Sequence, residues 1–276
     1  MKKSDRNNKV IQPFLKWAGN KRSIINRIIP LLPEGKRLIE PFSGSAAVFL
    51  NTNYEQNLIA DTNNDLINLY LQLQKNQDSF IKYCKKYFIN ENNVAEKYYD
   101  LRYHFNQTTS KKKRAALFLY LNKHGYNGLC RYNKSGGYNV PFGQYKKVSV
   151  PEERMQFFSK KSQQTEFIIS DFASTMENAK KGDVIYCDPP YVPVNDSNST
   201  FQYEKNGFTM EQQKTLASLA EKTAKRGIPV LISNHWTAFT EEIYKNAELT
   251  TFSVRRSISC KGDQRKEASE VLALFS

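Results

Sequence analysis

The stretch that decides the interpretation of this chain is KKGDVIYCDPPYVP, residues 180–193. A β-type run from Asp183 to Tyr186 leads into an acid, two prolines and a second tyrosine. Proline cannot donate to a sheet ladder and restricts the residue before it, so the strand must end near Asp188. The prolines then form a rigid corner that leaves a carboxylate and the ring of Tyr191 at the carboxyl end of a strand. Open α/β sheets bind ligands there, although Asp-Pro and Pro-Pro pairs also mark purely structural turns.

Short β-type runs alternate with helical patterns along much of the chain. The β-type runs are 37–42, 57–61, 167–170, 183–188, 228–234 and 270–275, and the helical patterns include 21–32, 63–74 and 210–226. This alternation predicts an α/β fold with a mainly parallel sheet and helices on both faces.

The alternation breaks between about residues 70 and 150. Helical segments there lead into a loop rich in Gly, Asn and Tyr, and Ser135-Gly136-Gly137 has the character of a hairpin turn between Tyr132 and Tyr138. We therefore predict a mainly helical insertion at 71–150 within a sheet domain formed by 1–70 and 151–276.

Composition limits the classes of function. The chain has 276 residues, a net charge of +14, four widely separated cysteines and three scattered histidines. This pattern suggests neither disulfides nor a metal site, and no apolar run approaches the ~20 residues of a membrane span. The N-terminus lacks the apolar centre of a signal peptide, so we expect a cytoplasmic protein with a polyanionic partner.

The positive charge is concentrated in the predicted insertion. From Leu101 to Pro151 the sequence has ten basic residues and no acidic ones, with aromatic residues interleaved. Such a mixture suits phosphate neutralisation and stacking on bases, so one face of this region is expected to lie on nucleic acid. Within it, Phe118 and Tyr120 belong to an apolar helical run and are predicted to be core, and the KKKR run at 111–114 is equally consistent with a solvated face.

A second ligand-binding signal follows the first β-type run. Glu40-Pro41-Phe42-Ser43-Gly44-Ser45 is a small-residue loop that opens a helix, and Asp61 ends the next run. A cofactor can approach such a loop closely, and an acid about twenty residues on can take ribose hydroxyls. The alternatives are a tight strand-to-helix turn and a helix N-cap at Asp61.

The two signals fit transfer of a methyl group to an aromatic amine. S-adenosylmethionine already carries a good leaving group, whereas an exocyclic aromatic amine is a poor nucleophile because its lone pair is delocalised into the ring. The Asp188 carboxylate and the Pro189 carbonyl could accept its two N–H bonds, with Tyr191 stacking on the base. A base inside a duplex must first be flipped out.

The chain resembles the adenine-specific DNA methyltransferases of the Dam type over roughly residues 12–276. The resemblance rests on FLKWAGNK (14–21), EPF (40–42) with its small-residue loop, and DPPY (188–191). The segments LNKHGYNGLCRYN (121–133) and NVPFGQYKK (139–147) also match the family's recognition segment. The resemblance implies a Rossmann-like sheet of the S-adenosylmethionine-dependent methyltransferases. It also implies methylation of the adenine 6-amino group in double-stranded DNA, with GATC as the target.

The resemblance also implies roles for individual residues. Implied catalytic residues are Asp188, Pro189, Pro190 and Tyr191. Implied cofactor-binding residues are Trp17, Ala18, Gly19, Lys21, Phe42, Gly44, Asp61 and Asp188. Arg131 would read a guanine, and Lys16 and Tyr145 would act at the outer G·C pair. Tyr126 would intercalate or stack where the adenine leaves, and Asn127 would lie beside the orphaned thymine. Leu129 and Pro141 would contact bases, and Lys123, Asn133 and Asn139 would hold phosphates.

Three positions depart from the family pattern. Asn20 stands where many relatives have glycine, Ala46 replaces the second glycine of the cofactor loop, and Gln144 stands where arginine is common. The first two could alter cofactor affinity by crowding the backbone, and the third removes a phosphate contact.

Other functions would use some of the same sequence features. A sequence-specific DNA-binding protein without catalysis would use the same basic, aromatic insertion. Amino-methyltransferases acting on cytosine, RNA or a glutamine amide tend to carry Ser or Asn before the two prolines, so Asp188 counts against them. Methylation at carbon 5 of cytosine needs a thiolate, and Cys187 should face away from Asp188. We expect a monomer of bacterial or phage type that has no metal and no obligate protein partner.

Overall fold

A computed structural model describes residues 10–193, 208–255 and 267–276. The strands are β1 (Arg37–Glu40), β2 (Gln56–Asp61), β3 (Thr165–Ile169), β4 (Asp183–Cys187), β5 (Val230–His235), β6 (Glu248–Arg255) and β7 (Glu267–Phe275). The α-helices are α1 (Ile25–Ile28), α2 (Ala47–Asn51), α3 (Asn64–Lys85), α4 (Ala95–Gln107), α5 (Lys111–His124), α6 (Glu152–Lys161), α7 (Phe172–Glu177), α8 (Met210–Lys225) and α9 (Ala238–Ile243).

The strands form a seven-stranded sheet in the order β3-β2-β1-β4-β5-β7-β6. Strand β1 pairs in parallel with both β2 and β4, and β4 pairs in parallel with β5. Strand β7 pairs antiparallel with β5 and β6. The order 3-2-1-4-5 is that of the Rossmann type, in which the chain reverses direction beside β1, so the predicted α/β class and its mainly parallel sheet are confirmed.

The sequence patterns located most strands to within two or three residues. They missed β6, which carries Thr250, Thr251 and Ser253 rather than a continuous apolar run. The helix predicted over 21–32 is wrong as a single element, since two 3-10 turns flank the four-residue α1, and the second of these turns contains Pro30. The helical region predicted over 63–74 extends to Lys85, with a kink at Gln77, whose φ and ψ are not helical.

The chain divides into two compact units. The first comprises Met1–Ile29, Gly44–Asn53 and Asn63–Ile169, and the second comprises Pro30–Ser43, Tyr54–Thr62 and Ser170–Ser276. These are units of packing, whereas the division into a catalytic domain and a recognition insertion concerns roles and stays a prediction.

The first unit is built on aromatic packing. Phe158 contacts Phe14 and Tyr70 with ring centroids 5.1 Å and 4.7 Å apart. Residues 115–124 of α5 are all buried, which confirms the core prediction for Phe118 and Tyr120. In the second unit β4 is buried along its whole length, which matches the run from Val184 to Cys187 that follows its first residue, Asp183.

Candidate active site

The acid-proline corner lies where the sequence placed it. Strand β4 ends at Cys187, and the half-buried Asp188 follows directly. Its Oδ1 accepts a hydrogen bond from Ser233 Oγ at 3.1 Å, and Tyr186 Oη lies 2.9 Å from the same serine oxygen. Because a bond to an ionised acceptor is the stronger one, the serine proton points to Asp188 and the tyrosine donates to the serine. Neighbouring strands β4 and β5 therefore orient the carboxylate.

Tyr191 is held at the edge of this corner. Its hydroxyl donates to Glu270 Oε2 at 3.4 Å, and its ring meets the His235 ring edge-on with centroids 4.8 Å apart. Burial, with Asp188 and Glu270 close by, raises the pKa of Tyr191 well above its ordinary value. The side chain is therefore a neutral ring at physiological pH rather than a proton acceptor.

Cys187 does not provide a nucleophile. It is fully buried, and burial followed by the charge of Asp188 raises the pKa of its thiol far above the ordinary range. Thiolate chemistry needs the opposite shift. The structure thus argues against carbon methylation through this cysteine.

The ends of β1 and β2 form a second group in the same unit. Phe42 stacks on Phe172 with centroids 5.4 Å apart and meets Phe208 edge-on at 5.5 Å. Ser43 Oγ donates to Asp61 Oδ2 at 3.3 Å. An aromatic surface beside a carboxylate at strand carboxyl ends has the chemistry that an adenosine moiety requires, namely a stacking face and an acceptor for ribose hydroxyls.

Asp61 does not cap a helix, so that alternative is wrong. Asn63 is the N-cap of α3, where its Oδ1 accepts from the N–H groups of Asp65 and Leu66. The carboxylate of Asp61 is thus not committed to ending the helix.

In the first unit, Trp17 packs directly against the small-residue loop. A Cβ placed on Gly44 would lie 2.8 Å from Trp17 Nε1, and Gly44 has φ +44°, so a larger residue would both clash and be strained. Gly19 has φ +73°, and Lys21 Nζ donates to its carbonyl at 2.6 Å. Ala18, between Trp17 and Gly19, is exposed.

Of the three positions that depart from the family pattern, one has a structural role and two have a strained backbone. Asn20 caps the 3-10 turn over Lys21–Ser23 through its side chain, so it has a structural role. Ala46 and Gln144 have φ of 57° and 52°, in the left-handed region that favours glycine. Ala46 also accepts the backbone bond from Leu50 that starts α2, so the strain lies in the turn that opens this helix.

Lys16 is the most firmly placed of the predicted DNA-reading residues. The buried Asn122 accepts from its backbone N–H at 3.0 Å and donates to its carbonyl at 2.7 Å. Lys16 Nζ donates to the carbonyl of Lys123 at 2.8 Å and lies 3.4 Å from the centroid of the Tyr145 ring. The structure therefore brings Lys16 and Tyr145 together, and their shared role at the outer G·C pair stays a prediction.

Arg131 is exposed and oriented by a neighbour. Its Nε donates to Asn139 Oδ1 at 2.8 Å and its Nη2 donates to the Asn139 carbonyl at 3.3 Å. The prediction assigned Asn139 to a phosphate, and the structure shows in addition that it orients Arg131. Asn133 Oδ1 accepts from the N–H groups of Ser135 and Gly137, so this side chain shapes the predicted hairpin turn.

The remaining residues predicted to contact DNA bases lie on a short surface segment. Tyr126 is 51% exposed, and its N–H donates to the carbonyl of the exposed Pro141 at 2.9 Å. Asn127 is exposed with φ 50°, and its N–H donates to Tyr145 Oη at 3.1 Å. Leu129 is half-buried. This arrangement presents an aromatic ring to solvent on a backbone tied at two points.

Lys123 is largely buried, unlike a surface lysine that contacts a phosphate. It is only 8% exposed and lines a cleft of about 580 Å³ together with Lys16, Tyr145, Lys147 and Arg154. Burial, followed by the charges of Lys16 and Arg154, lowers the pKa of its ammonium to about 7. A phosphate could reach it only through the cleft.

One supporting network was not predicted. Asp65 forms a two-point ion pair with Arg114 and accepts from Tyr132 Oη at 2.7 Å, and Asn63 Nδ2 contacts Cys130 Sγ at 3.3 Å. These contacts anchor the segment around Arg131 to α3 and α5. Asp65 is 49 positions from Arg114 and 67 positions from Tyr132, and such long-range pairing leaves no local signal in the sequence.

In the part of the chain that the structure describes, no helix is both long and apolar enough to cross a membrane. The same residues contain no cluster of three histidine, cysteine or acidic side chains that could hold a metal ion.

Comparison with known proteins identifies the family. The profile described as the D12 class N6 adenine-specific DNA methyltransferase matches residues 17–258. The chain belongs to this family. The N6 adenine-specific DNA methyltransferase described here is 48% identical over 264 residues to a DNA adenine methylase of Vibrio cholerae serotype O1, covering 95% of each chain. It is 47% identical over 262 residues to a DNA adenine methylase of Escherichia coli strain K12, covering 95% of this chain and 94% of the other.

Among solved structures, a precorrin 8W decarboxylase of Methanobacterium thermoautotrophicum is 8% identical to this chain with a TM-score of 0.38. It covers 92% of this chain and 89% of that one, and so low a likeness supports no inference. The family match confirms the resemblance, the enzyme class and adenine as the methylated base. Cytosine and RNA are therefore excluded as the main acceptors.

Proposed function

We propose that this methyltransferase transfers the methyl group of S-adenosylmethionine to the 6-amino group of a flipped adenine in GATC sites of double-stranded DNA. The observation that carries the proposal is the orientation of Asp188 at the rigid corner, through its bond with Ser233. Bound S-adenosylmethionine would supply a methyl group already activated by its sulfonium. The residues of the chain then have to prepare the amine.

Asp188 and Pro189 would do this as hydrogen-bond acceptors. With the carboxylate and the Pro189 carbonyl on its two N–H bonds, the amine is oriented and its lone pair is drawn out of conjugation with the ring. Tyr191, a neutral ring, would stack on the base, and Pro190 would keep the corner rigid. The buried position of Pro189 supports a carbonyl that is held in place.

We further propose that Phe42, Asp61 and Asp188 bind the cofactor in the second unit. The stacked phenylalanines and the Asp61 carboxylate fit adenosine chemically. For the first unit, Trp17, Ala18, Gly19, Lys21 and Gly44 stay proposed cofactor contacts. They are supported by the close approach of Trp17 to a loop that only glycine allows.

On the DNA side, we propose that the exposed guanidinium of Arg131 reads a guanine, and that Lys16 with Tyr145 acts at the outer G·C pair. Tyr126 would fill or flank the space left by the adenine, next to Asn127. Leu129 and Pro141 would contact bases, and Lys123, Asn133 and Asn139 would hold phosphates. The enzyme would act as a monomer in the cytoplasm of a bacterial cell, as one flipped adenine needs one active site.

Replacing Arg131 by alanine tests the assignment of GATC. We expect the variant to lose about 1–3 kcal/mol of discrimination at one G·C pair, the value of a good bidentate contact to guanine. Methylation rates on duplexes in which each pair of GATC is replaced in turn would measure the loss.

Lys134→Ala is the matched control, because Lys134 is an exposed cation in the same segment. Its loss should weaken binding to all duplexes alike and reduce the salt dependence. Unchanged discrimination in Arg131→Ala, with slower methylation of every duplex, would remove Arg131 from sequence reading.

A further inference from the structure

Two buried amides hold the backbone on either side of Tyr191. Asn234 lies on β5 with no exposed surface, and Gln213 lies on α8 with 1% exposed. Asn234 Oδ1 accepts from the Val192 N–H at 3.0 Å, and Gln213 Nε2 donates to the Pro190 carbonyl at 2.8 Å. The two amides are joined to each other, since Asn234 Nδ2 donates to Gln213 Oε1 at 3.1 Å.

The direction of this chain of hydrogen bonds is determined by the backbone. Asn234 Oδ1 also accepts from the His235 N–H at 2.9 Å, so two N–H donors require the oxygen on that side. The amide nitrogen must then face Gln213 and Tyr244 Oη, the latter at 3.1 Å. This uses both lone pairs and both N–H bonds of Asn234, and the orientation of Gln213 follows from it.

Two further contacts from β5 reach the same corner. His235 Nδ1 lies 2.6 Å from the Val192 carbonyl, and Ser233 donates to Asp188. Three successive residues of β5 therefore contact the DPPY corner and the residue after it. A buried network of this kind is rigid, because breaking one bond leaves a desolvated polar group unpaired.

We propose that Gln213 and Asn234 are positioning residues for methyl transfer, which act by fixing the main chain at Pro190 and Val192 and thereby the ring of Tyr191. The proposal rests on the role proposed above for Asp188 and Tyr191. Neither amide needs to touch the base or the cofactor. Their effect should be on the chemical step, since displacement of a reacting geometry by ~1 Å can cost on the order of 100-fold in rate.

The first test is Gln213→Met, which keeps the volume and removes both amide contacts. We expect both the single-turnover rate constant and kcat for methylation of a GATC duplex to fall at least ~10-fold. The KM for S-adenosylmethionine and the Kd for the duplex should stay within about 3-fold, because Gln213 is itself none of the proposed cofactor or DNA contacts. A parallel rise in KM and Kd with unchanged kcat would overturn the proposal.

Gln74→Met is the matched control for lost stability. Gln74 on α3 also donates to backbone carbonyls, those of Ser162 and Thr165, at 2.6 Å and 2.8 Å. We expect it to lower the melting temperature without changing kcat at a temperature where the protein is folded. If both variants lower kcat equally, Gln213 has only a structural role.

The second test is Gln213→Glu, whose effect should depend on pH. A buried carboxyl group has a raised pKa, and its protonated form can donate to the Pro190 carbonyl while still accepting from Asn234. Activity relative to wild type should be near normal at low pH and fall as the group ionises, while circular dichroism shows a folded protein throughout. A flat relative pH profile would contradict the positioning role.

The test distinguishes this proposal from the one on which it rests. Full activity in Asp188→Ala would refute the proposed catalytic corner itself. Loss of activity in Asp188→Ala combined with normal activity in Gln213→Met would refute only the role of the amides.

Discussion

At the scale of the residue, Lys123 carries a positive charge into a poorly solvated place. Its ammonium lines a cleft with Lys16 and Arg154, and the charges of both oppose its protonation, with a pKa of about 7 as the result. Tyr145, Lys147, Glu152 and Glu153 also line the cleft. A buried cation surrounded mainly by other cations costs stability unless an anion binds.

This cost predicts a pH-dependent effect of Lys123→Met on stability. The pKa of Lys123 is lower in the folded chain than its ordinary value of 10.5, so the cost is fully present below pH 7 and disappears as pH rises toward 10. We expect the variant to melt several degrees above wild type at pH 6 and closer to wild type at pH 9.

Differential scanning calorimetry at the two pH values, without DNA, would measure the difference. Lys134→Met, at an exposed site, should leave the melting temperature unchanged at both. A Lys123→Met difference that is equal at pH 6 and pH 9 would show that the ammonium is not the cause.

At this scale, some residue positions could be predicted from the sequence and others could not. The position of Asp188 at the end of a strand could be predicted because the two prolines after it end the strand. The guanine contact of Arg131 is implied by the family resemblance and stays a proposal. The orienting role of Asn139 could not be predicted, because it depends on which of several nearby groups the flexible Arg131 side chain meets. The left-handed conformation of Ala46 was equally hidden, since alanine gives no sign of positive φ.

At the scale of the element, contacts with two helices hold the hairpin that Tyr132 and Tyr138 close. Tyr132 Oη donates to Asp65 on α3, which is paired with Arg114 on α5. An antiparallel bridge joins Tyr132 to Tyr138 and closes the hairpin. Arg131 lies immediately before this anchor, so the anchor limits how far Arg131 can move.

Tyr132→Phe should therefore affect both stability and recognition. A hydrogen bond to a charged group is worth about 1.5–3 kcal/mol, so a measurable fall in the midpoint of urea unfolding is expected. Because the segment loosens, discrimination between GATC and single-substituted duplexes should decrease in a fluorescence binding assay. Tyr103→Phe is the control, since Tyr103 is 62% exposed on α4.

Unchanged stability and unchanged discrimination in Tyr132→Phe would show that the hairpin is held without this bond. A loss in Tyr103→Phe of the same size would show that the effect is not specific to the anchor.

Elements were predictable where one physical signal dominated. Buried parallel strands are continuous apolar runs, so β4 and β5 could be located from sequence. Residues Ser233, Asn234 and His235 extend such a run with polar side chains, and the rule that located Asp188 could have indicated them too. Strand β6 escaped because a strand with polar side chains has no apolar run to mark it.

At the scale of the whole molecule, positive charge favours DNA binding and the fold positions the two aspartates. The net charge of +14 favours DNA as partner, and the acid-free stretch 101–151 concentrates it near the recognition residues. The Rossmann-type strand order places Asp61 and Asp188 at carboxyl ends of parallel strands. The family match over residues 17–258 includes both Arg131 and Asp188.

The proposed chemistry and specificity are tested most directly by transfer of labelled methyl from S-adenosylmethionine to two duplexes. The duplexes are identical except that one contains GATC and the other a scrambled site. We predict label on the 6-amino group of the GATC adenine alone, and none with Asp188→Ala. Equal label on both duplexes would contradict the assigned specificity. Absence of label from wild-type protein that still binds GATC selectively would contradict the proposed catalysis.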